Sequence, residues 1–453
     1  LELLASSLHG MLTSSANRWF SLRFKETILN ENDEAKEWLE DVTDKMYIAF
    51  QRSNFQQEIF ETYHDLCAFG TAAMFIEEDE TDIIRFSARH IKEIYISENA
   101  KGLVDCIYRR FRLTAKAAVE KFGLENLSRE IQNIHKNSPF DEVEFCHIVK
   151  PRDIYNPRKE DKMNMPFVSI YMETESGKII SIGGFKEFPY VVPRFLKSSN
   201  EIYGRSPGMN SLSDVKVLNK MVEVGLKAAQ KQVDPPLLVP DDGLMLPIRT
   251  APGSLIYYRA GSRDTITPLN IGANNPLGLN MEEQRRKAIS QTFHVDQLLV
   301  TENRNMTATE VAQRSEEKMR ILGPTLGRLQ VELLNPTVIR VFNIMLRNNL
   351  FKPAPEVLIN QEIDVEYVSP MALAQKGQEL SSIIRGLEIF GQIGQVAPVT
   401  DYIDPQGLVK EIIKILGIPA KVIRSDAQVQ EITEQKQAAQ QQQMEMMNAV
   451  QES

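Results

Sequence analysis

Cysteine, tryptophan and histidine are all scarce in this chain of 453 residues, which has three, two and six of them. The cysteines (Cys67, Cys106 and Cys146) are widely spaced and odd in number, so they predict neither a disulfide framework nor a C-x-x-C site. We expect them to be buried structural thiols in a reducing compartment. The histidines are scattered and no H-E-x-x-H occurs, so the sequence predicts no metal and no cofactor.

The chain also lacks long hydrophobic runs and an excess of positive charge. No stretch approaches the ~18 consecutive apolar residues of a membrane span, and the start has no signal-peptide layout. Because it begins at Leu1 rather than Met, we expect further residues before it. The net charge of −9 argues against a protein that binds nucleic acid over its whole surface, but it is compatible with a local surface that contacts DNA. The length predicts two to four domains of roughly 100–200 residues.

One short stretch resembles a catalytic motif. Residues 204–208 read GRSPG and fit G-x-S-x-G, the nucleophile elbow of α/β-hydrolases. That elbow uses the backbone N–H after the serine in its oxyanion hole, and here Pro207 has none. His294 is the only histidine after Ser206. We therefore expect a turn that leads into a helix, and no enzymatic activity.

The first third of the sequence mixes helical and strand patterns. A helix is predicted over 31–60, and another over 114–122 with Thr114 as its cap and Gly123 as its end. Residues 166–185 form the clearest hairpin, with Gly177 in the turn. The Gly183-Gly184 pair in its second strand is interpreted as a bulge.

A helix–insert–helix pattern follows. An amphipathic helix is predicted over 210–233, with Asn210 or Ser211 as its cap, and it stops at consecutive prolines. A Pro- and Gly-rich insert with β character precedes a second helix over 279–299. After a polar stretch, a long helix starts at a capping box and should kink at Gly323-Pro324 and Asn335-Pro336. From about residue 371 the chain is predicted to be helical, with a Gln-rich end.

Four lysines of the first of these helices share one face. At about 100° per residue, Lys216, Lys220, Lys227 and Lys231 fall within about 60° of each other, opposite most of the apolar stripe. An ordinary solvated face is the simpler interpretation, and Glu223 on the same face supports it. Residues 201–310 carry twelve basic and twelve acidic side chains, so this region is neutral. Neutrality with scattered cations suits transient guidance of DNA better than tight binding.

Several stretches in a fixed order carry a family resemblance. They are NRWFSLRF (17–24), SNFQQEIFETYHDLCAFGTAAMFIEE (53–78), FPYVVPRF (188–195), YGRSPGM (203–209), DPPLLVP (234–240), MTATEVAQRSEEKMRILGPTLGRLQVELLNP (306–336) and LGIPAKVIRSD (416–426). Together they resemble the head-to-tail connector (portal) proteins of short-tailed, T7-like tailed bacteriophages.

The resemblance implies an α+β, mostly helical ring subunit with wing, stem helices, a small β-containing clip, a tunnel loop and a helical crown. Carried onto this chain, the expected parts are a wing (1–208), a first stem helix (209–233), a clip (234–280), a second stem helix (281–299), a tunnel loop (300–307), a long kinked helix with wing return (308–370) and a crown with a Gln-rich tail (371–453). The GRSPG turn then marks the wing–stem boundary, and a β-branched residue at Gly208 should impair ring assembly.

The resemblance also implies sites and partners. Expected channel-facing residues are Lys216, Lys220, Lys227, Lys231, Arg285 and Arg286 in the stem, and Asn303, Arg304 and Asn305 in the tunnel loop. Arg249, Arg259 and Arg263 are candidate partner contacts in the clip. The expected partners are further copies in a ring of twelve, double-stranded DNA, terminase, tail adaptor or nozzle proteins, and capsid and scaffolding proteins, with no membrane insertion.

The implied role is passive guidance and retention of DNA at one capsid vertex of the virion, after assembly in the host cytoplasm, while a separate terminase hydrolyses ATP. A scaffold or adaptor of another viral complex, built from the same helix–insert–helix unit without DNA transit, is the alternative. The charge reversal Arg304→Glu separates the two, because only a portal should then lose DNA packaging or retention while rings still form.

Overall fold

The computed structural model describes residues 1–25, 32–79, 82–159, 161–233, 237–238, 267–268, 276–298, 322–355 and 363–367, with isolated positions between 380 and 429. The chain divides into a larger unit, Leu1–Ser206 with Val300–Ser453, and a smaller one, Pro207–Leu299, here called the helix-pair unit. None of the helices in the described ranges is long and apolar enough to cross a membrane. Those ranges also hold no group of three His, Cys, Asp or Glu side chains suited to a metal ion.

The larger unit begins with helices and one strand: α1 (Glu2–Leu12), β1 (Phe20–Phe24), α2 (Asp33–Arg52) and α3 (Phe55–Phe69). The single helix predicted over 31–60 is wrong, because Ser53 is extended and divides it. The reason lies in Asn54, whose side chain accepts from the backbone N–H of Phe86 (3.0 Å) and donates to its carbonyl (2.9 Å). These bonds hold the start of α3 against a strand, which a continuous helix would prevent.

Eight strands and two helices make up most of the rest of this unit. They are β2 (Ala73–Asp79), β3 (Ile83–Arg89), β4 (Ile94–Glu98), β5 (Val104–Thr114), α4 (Ala115–Phe122), α5 (Arg129–Asn137), β6 (Glu142–Pro151), β7 (Phe167–Glu173), β8 (Ile179–Phe185) and β9 (Tyr190–Val191). One antiparallel sheet has the order β4-β5-β6-β7-β8, and a smaller one has the order β3-β2-β9. The predicted mixture of helices and strands is therefore confirmed.

Local predictions in these strands have mixed outcomes. Thr114 caps α4 by accepting from the amide of Ala117, and the helix ends at Gly123, as predicted. The hairpin turn is also confirmed, with Gly177 at φ 66°. The predicted bulge at Gly183-Gly184 is wrong, because both residues pair in regular register and the irregularity lies between Tyr171 and Met172.

Close approach explains the second of those glycines. A Cβ on Gly184 would lie 2.5 Å from the carbonyl oxygen of Lys162 and 2.9 Å from that of Phe167. No side chain fits in that space, so the residue is glycine for packing rather than for strand irregularity.

The chain stays helical across Asn335-Pro336, the second of the two kinks predicted for the long helix. Residues 322–329 are α-helical, Gln330–Leu334 form a π-helical turn, and α9 (Asn335–Arg347) follows with a proline in its first turn. Because Pro336 has no N–H, the longer π-type ring relieves the conflict that a proline creates in a regular helix. The helix thus changes register rather than breaking. A last strand, β12 (Ile363–Tyr367), pairs antiparallel with β1.

The helix-pair unit consists of α6 (Pro207–Val233), the two-residue strands β10 (Leu237–Leu238) and β11 (Thr267–Pro268), α7 (Pro276–Thr292) and α8 (Val295–Leu298). The antiparallel pairing of β10 with β11 confirms β structure in the insert. The helix predicted over 279–299 is wrong in its bounds, because it starts at Pro276 and is interrupted at His294, whose φ is +56°. The first helix starts at Pro207, so the predicted cap at Asn210 or Ser211 is also wrong; a proline fits the first helical position because no bond needs its missing N–H.

The three cysteines are free, and their burial differs. Cys67 is buried, and burial raises the pKa of its thiol to about 12. Cys106 and Cys146 are only partly buried. The expectation of a buried structural thiol is therefore confirmed for Cys67 and wrong for the other two, which lie in strands at intermediate exposure.

Candidate functional site

One face of α6 packs against α7. Its least exposed positions recur at three- and four-residue steps and include Leu218 and Met221. Asp214 on this face accepts a hydrogen bond from Nη1 of Arg285 at 2.9 Å. Further along, a Cβ on Gly225 would come within 3.6 Å of Oε1 of Glu282. The two helices therefore lie side by side, tied by one ion pair at one end and a close approach at the other.

The lysine face of α6 points away from α7. All four of its members, Lys216, Lys220, Lys227 and Lys231, are exposed. At about 100° per residue they centre about 150–170° from Leu218 and Gly225. Glu223 lies among them and accepts from Lys220 (2.9 Å) and Lys227 (2.6 Å). These bonds, with Lys227 foremost, lower the pKa of Glu223.

The structure therefore separates the predicted stem cations. Lys220 and Lys227 share the single negative charge of Glu223, whereas Lys216 and Lys231 make no ion pair within the described residues. Arg285 does not join the lysine face, because it bridges α7 to Asp214. Arg286 beside it is exposed. Two sets of expected site residues lie outside the described residues: those expected in a tunnel loop (Asn303, Arg304 and Asn305) and those expected in a clip (Arg249, Arg259 and Arg263).

Apolar side chains are exposed on both flanks of the lysine face. Leu212 and Leu226 lie on one flank, and Val217 and Val224 on the other; each is 46–61% exposed. At about 100° per residue the two flanks are roughly 150° apart. An isolated subunit leaves both of these surfaces without cover, which is unusual for a soluble helix.

The segment just before α6, residues 196–206, is here called the joint. Hydrogen bonds and close packing hold it within the larger unit. The amide of Gly204 donates to Oγ1 of Thr71 (2.7 Å), and Leu196 and Arg205 exchange backbone hydrogen bonds of 3.2 and 2.7 Å. A Cβ on Gly204 would overlap the carbonyl oxygen of Gly70 and lie 2.9 Å from Cβ of Arg194. The glycine that this joint requires is therefore Gly204, whereas Gly208, singled out from the sequence, lies in the first turn of α6.

The serine of the GRSPG motif takes part in the same joint. Ser206 is 0% exposed, and its Oγ donates to the carbonyl oxygen of Ala68 at 2.7 Å, at the end of α3. A buried hydroxyl that donates to a backbone carbonyl lacks the access to substrate that a nucleophile needs. The motif match is explained by packing.

Sequence analysis missed the buried ionic cluster next to this joint. Arg194 is 2% exposed and donates to both carboxylate oxygens of Glu332 (3.0 and 2.7 Å), to Glu98, and to the carbonyls of Ile202 and Gly102. Burial alone would lower the pKa of Arg194, but the hydrogen bonds to Glu332 and Glu98 raise it. Lys197 also pairs with Glu98 at 2.5 Å.

This cluster joins four parts of the larger unit. Glu98 ends β4, Glu332 lies in the π-helical turn, and Arg194 and Ile202 flank the segment that precedes α6. The only sequence signal was an arginine directly after a proline in an apolar, extended stretch. That pattern does not reveal which acids lie 96 and 138 residues away.

Comparison with known proteins gives the family. The model of a family described as "Bacteriophage head to tail connecting protein" matches residues 1–423. The chain belongs to the bacteriophage head-to-tail connecting proteins. It is 32% identical to the portal protein of Salmonella phage epsilon15, over 96% of this chain and 80% of that protein. It is 31% identical to the probable portal protein of Bordetella phage BPP-1, over 97% and 82%.

A weaker likeness is to a chain of the structure described as "Neck of empty GTA particle computed with C6 symmetry". It has a TM-score of 0.39 and 11% identity, over 83% of this chain and 84% of that chain, and it supports no argument here.

The family confirms the resemblance drawn from the sequence. Portal proteins form the head-to-tail connector as a ring at a capsid vertex of the virion, and a DNA channel and a docking platform are their general function. The family is structural rather than enzymatic.

Proposed function

We propose that the lysine face of α6 lines the channel of the ring, with α7 behind it. The observation that carries this proposal is the placement of four exposed lysines on the face of α6 opposite α7. In a ring of such helix pairs, only one surface of each pair can face the axis. A cationic surface there meets the phosphates of passing double-stranded DNA.

The two apolar flanks support a closed ring. A head-to-tail ring needs two different complementary surfaces on each subunit. Leu212 and Leu226 provide one surface, and Val217 and Val224 the other. Burial of these side chains between neighbours leaves the lysine face between them turned inward. We infer a ring of twelve, as the family resemblance implies.

Glu223 limits how strongly the channel holds DNA. Its single negative charge offsets one of the two positive charges of Lys220 and Lys227. Lys216 and Lys231 have no acidic partner among the described residues. Each phosphate that is neutralised adds affinity through counterion release, so a weakly charged wall lets DNA move. This arrangement suits guidance and retention rather than a static complex.

The remaining parts are assigned in the order that the family resemblance implies. We infer that α6 and α7 are the stem helices, that the insert between them is the clip, that 300–307 is the tunnel loop, and that 371–453 is the crown. Arg249, Arg259 and Arg263 of the clip then contact terminase during packaging and tail adaptor or nozzle proteins afterwards. Capsid and scaffolding proteins surround the vertex, and assembly takes place in the host cytoplasm.

The test is charge removal on the lysine face. Rings that carry Lys216→Gln and Lys231→Gln are compared with rings that carry Lys101→Gln and Lys116→Gln, a matched pair of exposed lysines in the larger unit. DNA binding to the rings is measured as a function of salt. The channel variant should lower the salt slope by about 0.9 for each phosphate that it no longer neutralises. Equal slopes in both variants would show that the lysine face does not meet DNA.

The tunnel loop separates a channel from an adaptor. With Arg304→Glu, rings should assemble normally while the DNA protected from nuclease inside capsids falls. Asn303→Asp is the milder companion change. Normal packaging and retention with Arg304→Glu would favour the adaptor. Purified protein that stays monomeric or dimeric by mass photometry at high concentration would contradict the ring itself.

A further inference from the structure

A row of polar side chains crosses the five-stranded sheet and divides its apolar face. In the strand register Arg109 pairs with His147, and His147 pairs with Tyr171. On one side of this row lies a core that includes Ile107 and Val149. On the other side lies a second core built around residues such as Phe111 and Phe145.

Two further cations approach the row from other elements. Lys121 of α4 has its Nζ 5.3 Å from the ring centre of Tyr171 and 5.8 Å from that of Phe111. The guanidinium of Arg109 lies 4.1 Å from the centre of the same Phe111 ring. Arg89 ends β3 with its guanidinium 6.0 Å from the ring centre of Phe75, and Phe75 in turn contacts His147 edge-on.

Only one of the three cations near this row is in direct contact with an acidic side chain of the described ranges. Arg109 pairs with Glu93 at 3.0 Å. Within the described residues, Lys121 and Arg89 make no hydrogen bond or ion pair, and Nε of Arg89 is buried without an acceptor. Glu77 of β2 also faces the row, but no oxygen of it lies within 4.0 Å of either cation. An unsatisfied buried donor on a charged group is destabilising.

The electrostatics agree with this geometry. Burial, followed by the neighbouring cations Lys121, Arg109 and Arg89, lowers the pKa of His147 to about 3. The imidazole is therefore neutral, and it is held by Tyr190 (3.0 Å) and Ser169 (2.9 Å). Burial and the two arginines also lower the pKa of Lys121, although Glu77 opposes them. Three cations face two carboxylates here.

We propose that Arg89, Arg109 and Lys121 form a binding site for an oxyanion, the phosphate or carboxylate group of a small ion or of a side chain. Such a group supplies the acceptor that Nε of Arg89 lacks and balances the excess positive charge. Arginine forks and a lysine ammonium are the usual partners of phosphate and carboxylate oxygens. Aromatic rings beside the site strengthen the attraction. Lys121 is exposed and Arg89 is partly exposed, so an anion can reach them from solvent. The site is independent of the proposed DNA channel.

The test uses inorganic phosphate as the probe on the whole chain. The unfolding midpoint is measured against phosphate, with chloride at matched ionic strength as the reference. A saturable rise is expected from binding to the folded state. Lys121→Met should weaken the apparent phosphate affinity at least roughly tenfold, and Arg89→Gln should do the same. Lys116→Met on the same helix should leave the affinity unchanged, because Lys116 pairs with Glu120 rather than lying beside the rings of the row.

A second measurement covers the case in which Arg89→Gln does not fold. Acetic anhydride should acetylate Lys121 in a phosphate-sensitive way, while the acetylation of Lys116 should not respond, as read by peptide mass spectrometry. Binding in the monomer that disappears in the assembled ring would identify the natural oxyanion as a carboxylate of a neighbouring copy. Binding in both forms would identify a free ion. A midpoint that does not saturate, or equal effects in all three variants, would overturn the site.

Discussion

Two groups of ion pairs, one in each unit of this chain, differ in burial. In the larger unit Arg194 is 2% exposed and shares its donors among Glu98, Glu332 and two backbone carbonyls. In the helix-pair unit Glu223 pairs with two lysines whose side chains are 69% and 64% exposed. Buried pairs are costly unless every donor is satisfied, whereas exposed pairs contribute little and are screened by salt. The first arrangement fixes structure, and the second leaves charge available at a surface.

The largest predicted effect is the loss of the buried arginine. Arg194→Met removes the buried partner of Glu332 and Glu98, whose side chains are 10% and 15% exposed. Leaving one partner of a buried pair unpaired costs about 3–5 kcal/mol. Because Glu98 keeps Lys197 and Glu332 keeps Arg328, denaturant unfolding should show a loss at the lower end of that range. Arg112→Met is the matched control, because Arg112 is 66% exposed and its ion pairs are long. Similar losses for both variants would erase the contrast between buried and exposed pairs.

The joint before α6 should be the next most sensitive position. Gly204→Ala places a methyl group against the carbonyl oxygen of Gly70, and backbone cannot move aside as a flexible side chain can. Overpacking of this kind costs about 1–3 kcal/mol.

Gly10→Ala is the control for that change, because a Cβ there has nothing within 4 Å and Gly10 lies within α1. Alanine has the higher helix propensity, so the control should be neutral or stabilising. The unfolding free energies of the two variants should therefore change in different directions. A neutral Gly204→Ala would show that the joint can relax.

Sequence reasoning found the local features and missed the distant ones. The cap at Thr114, the turn at Gly177 and the strands of the hairpin follow from residues within a few positions of each other. The break at Asn54 depends on a strand 32 residues away, and the partners of Arg194 come from three separate elements. Such pairings are set by tertiary packing, which periodicity does not encode.

The same limit applies to the candidate site. The lysine face was predictable because residues four and seven apart share a helix face. The pairing of Arg285 with Asp214 was not, since it requires knowing which face of α6 meets α7. The polar row across the sheet was equally hidden, because it depends on the register of three strands.

A buried neutral histidine should make the larger unit sensitive to acid. The folded-state pKa of His147 is lowered from 6.5 to about 3 by burial first and then by nearby cations. Between those values the unfolded chain binds a proton that the folded chain does not, so stability falls as pH drops from about 6.5 toward 3, by up to about 1.4 kcal/mol per pH unit. When the unfolding free energy is plotted against pH, wild type and His147→Gln should have different slopes between about pH 3 and 6.5. Equal slopes would show that His147 is not buried in its neutral form.

The smallest effect is predicted for the exposed acid of α6. Glu223→Gln removes two surface ion pairs and should change the unfolding free energy by no more than about 0.5 kcal/mol, less in high salt. The identical substitution Glu332→Gln, in the buried cluster, should cost about 1.5–3 kcal/mol, because it weakens charge-assisted bonds from Arg194.

The effects of the two substitutions on DNA binding should have the opposite order of size. Loss of Glu223 frees Lys220 and Lys227, so rings should bind DNA more tightly and with a steeper salt dependence. Assembled Glu332→Gln rings should bind DNA as wild type does. If Glu223→Gln lowers the unfolding free energy as much as Glu332→Gln does, the buried and the exposed ion pairs do not differ in their contribution to stability.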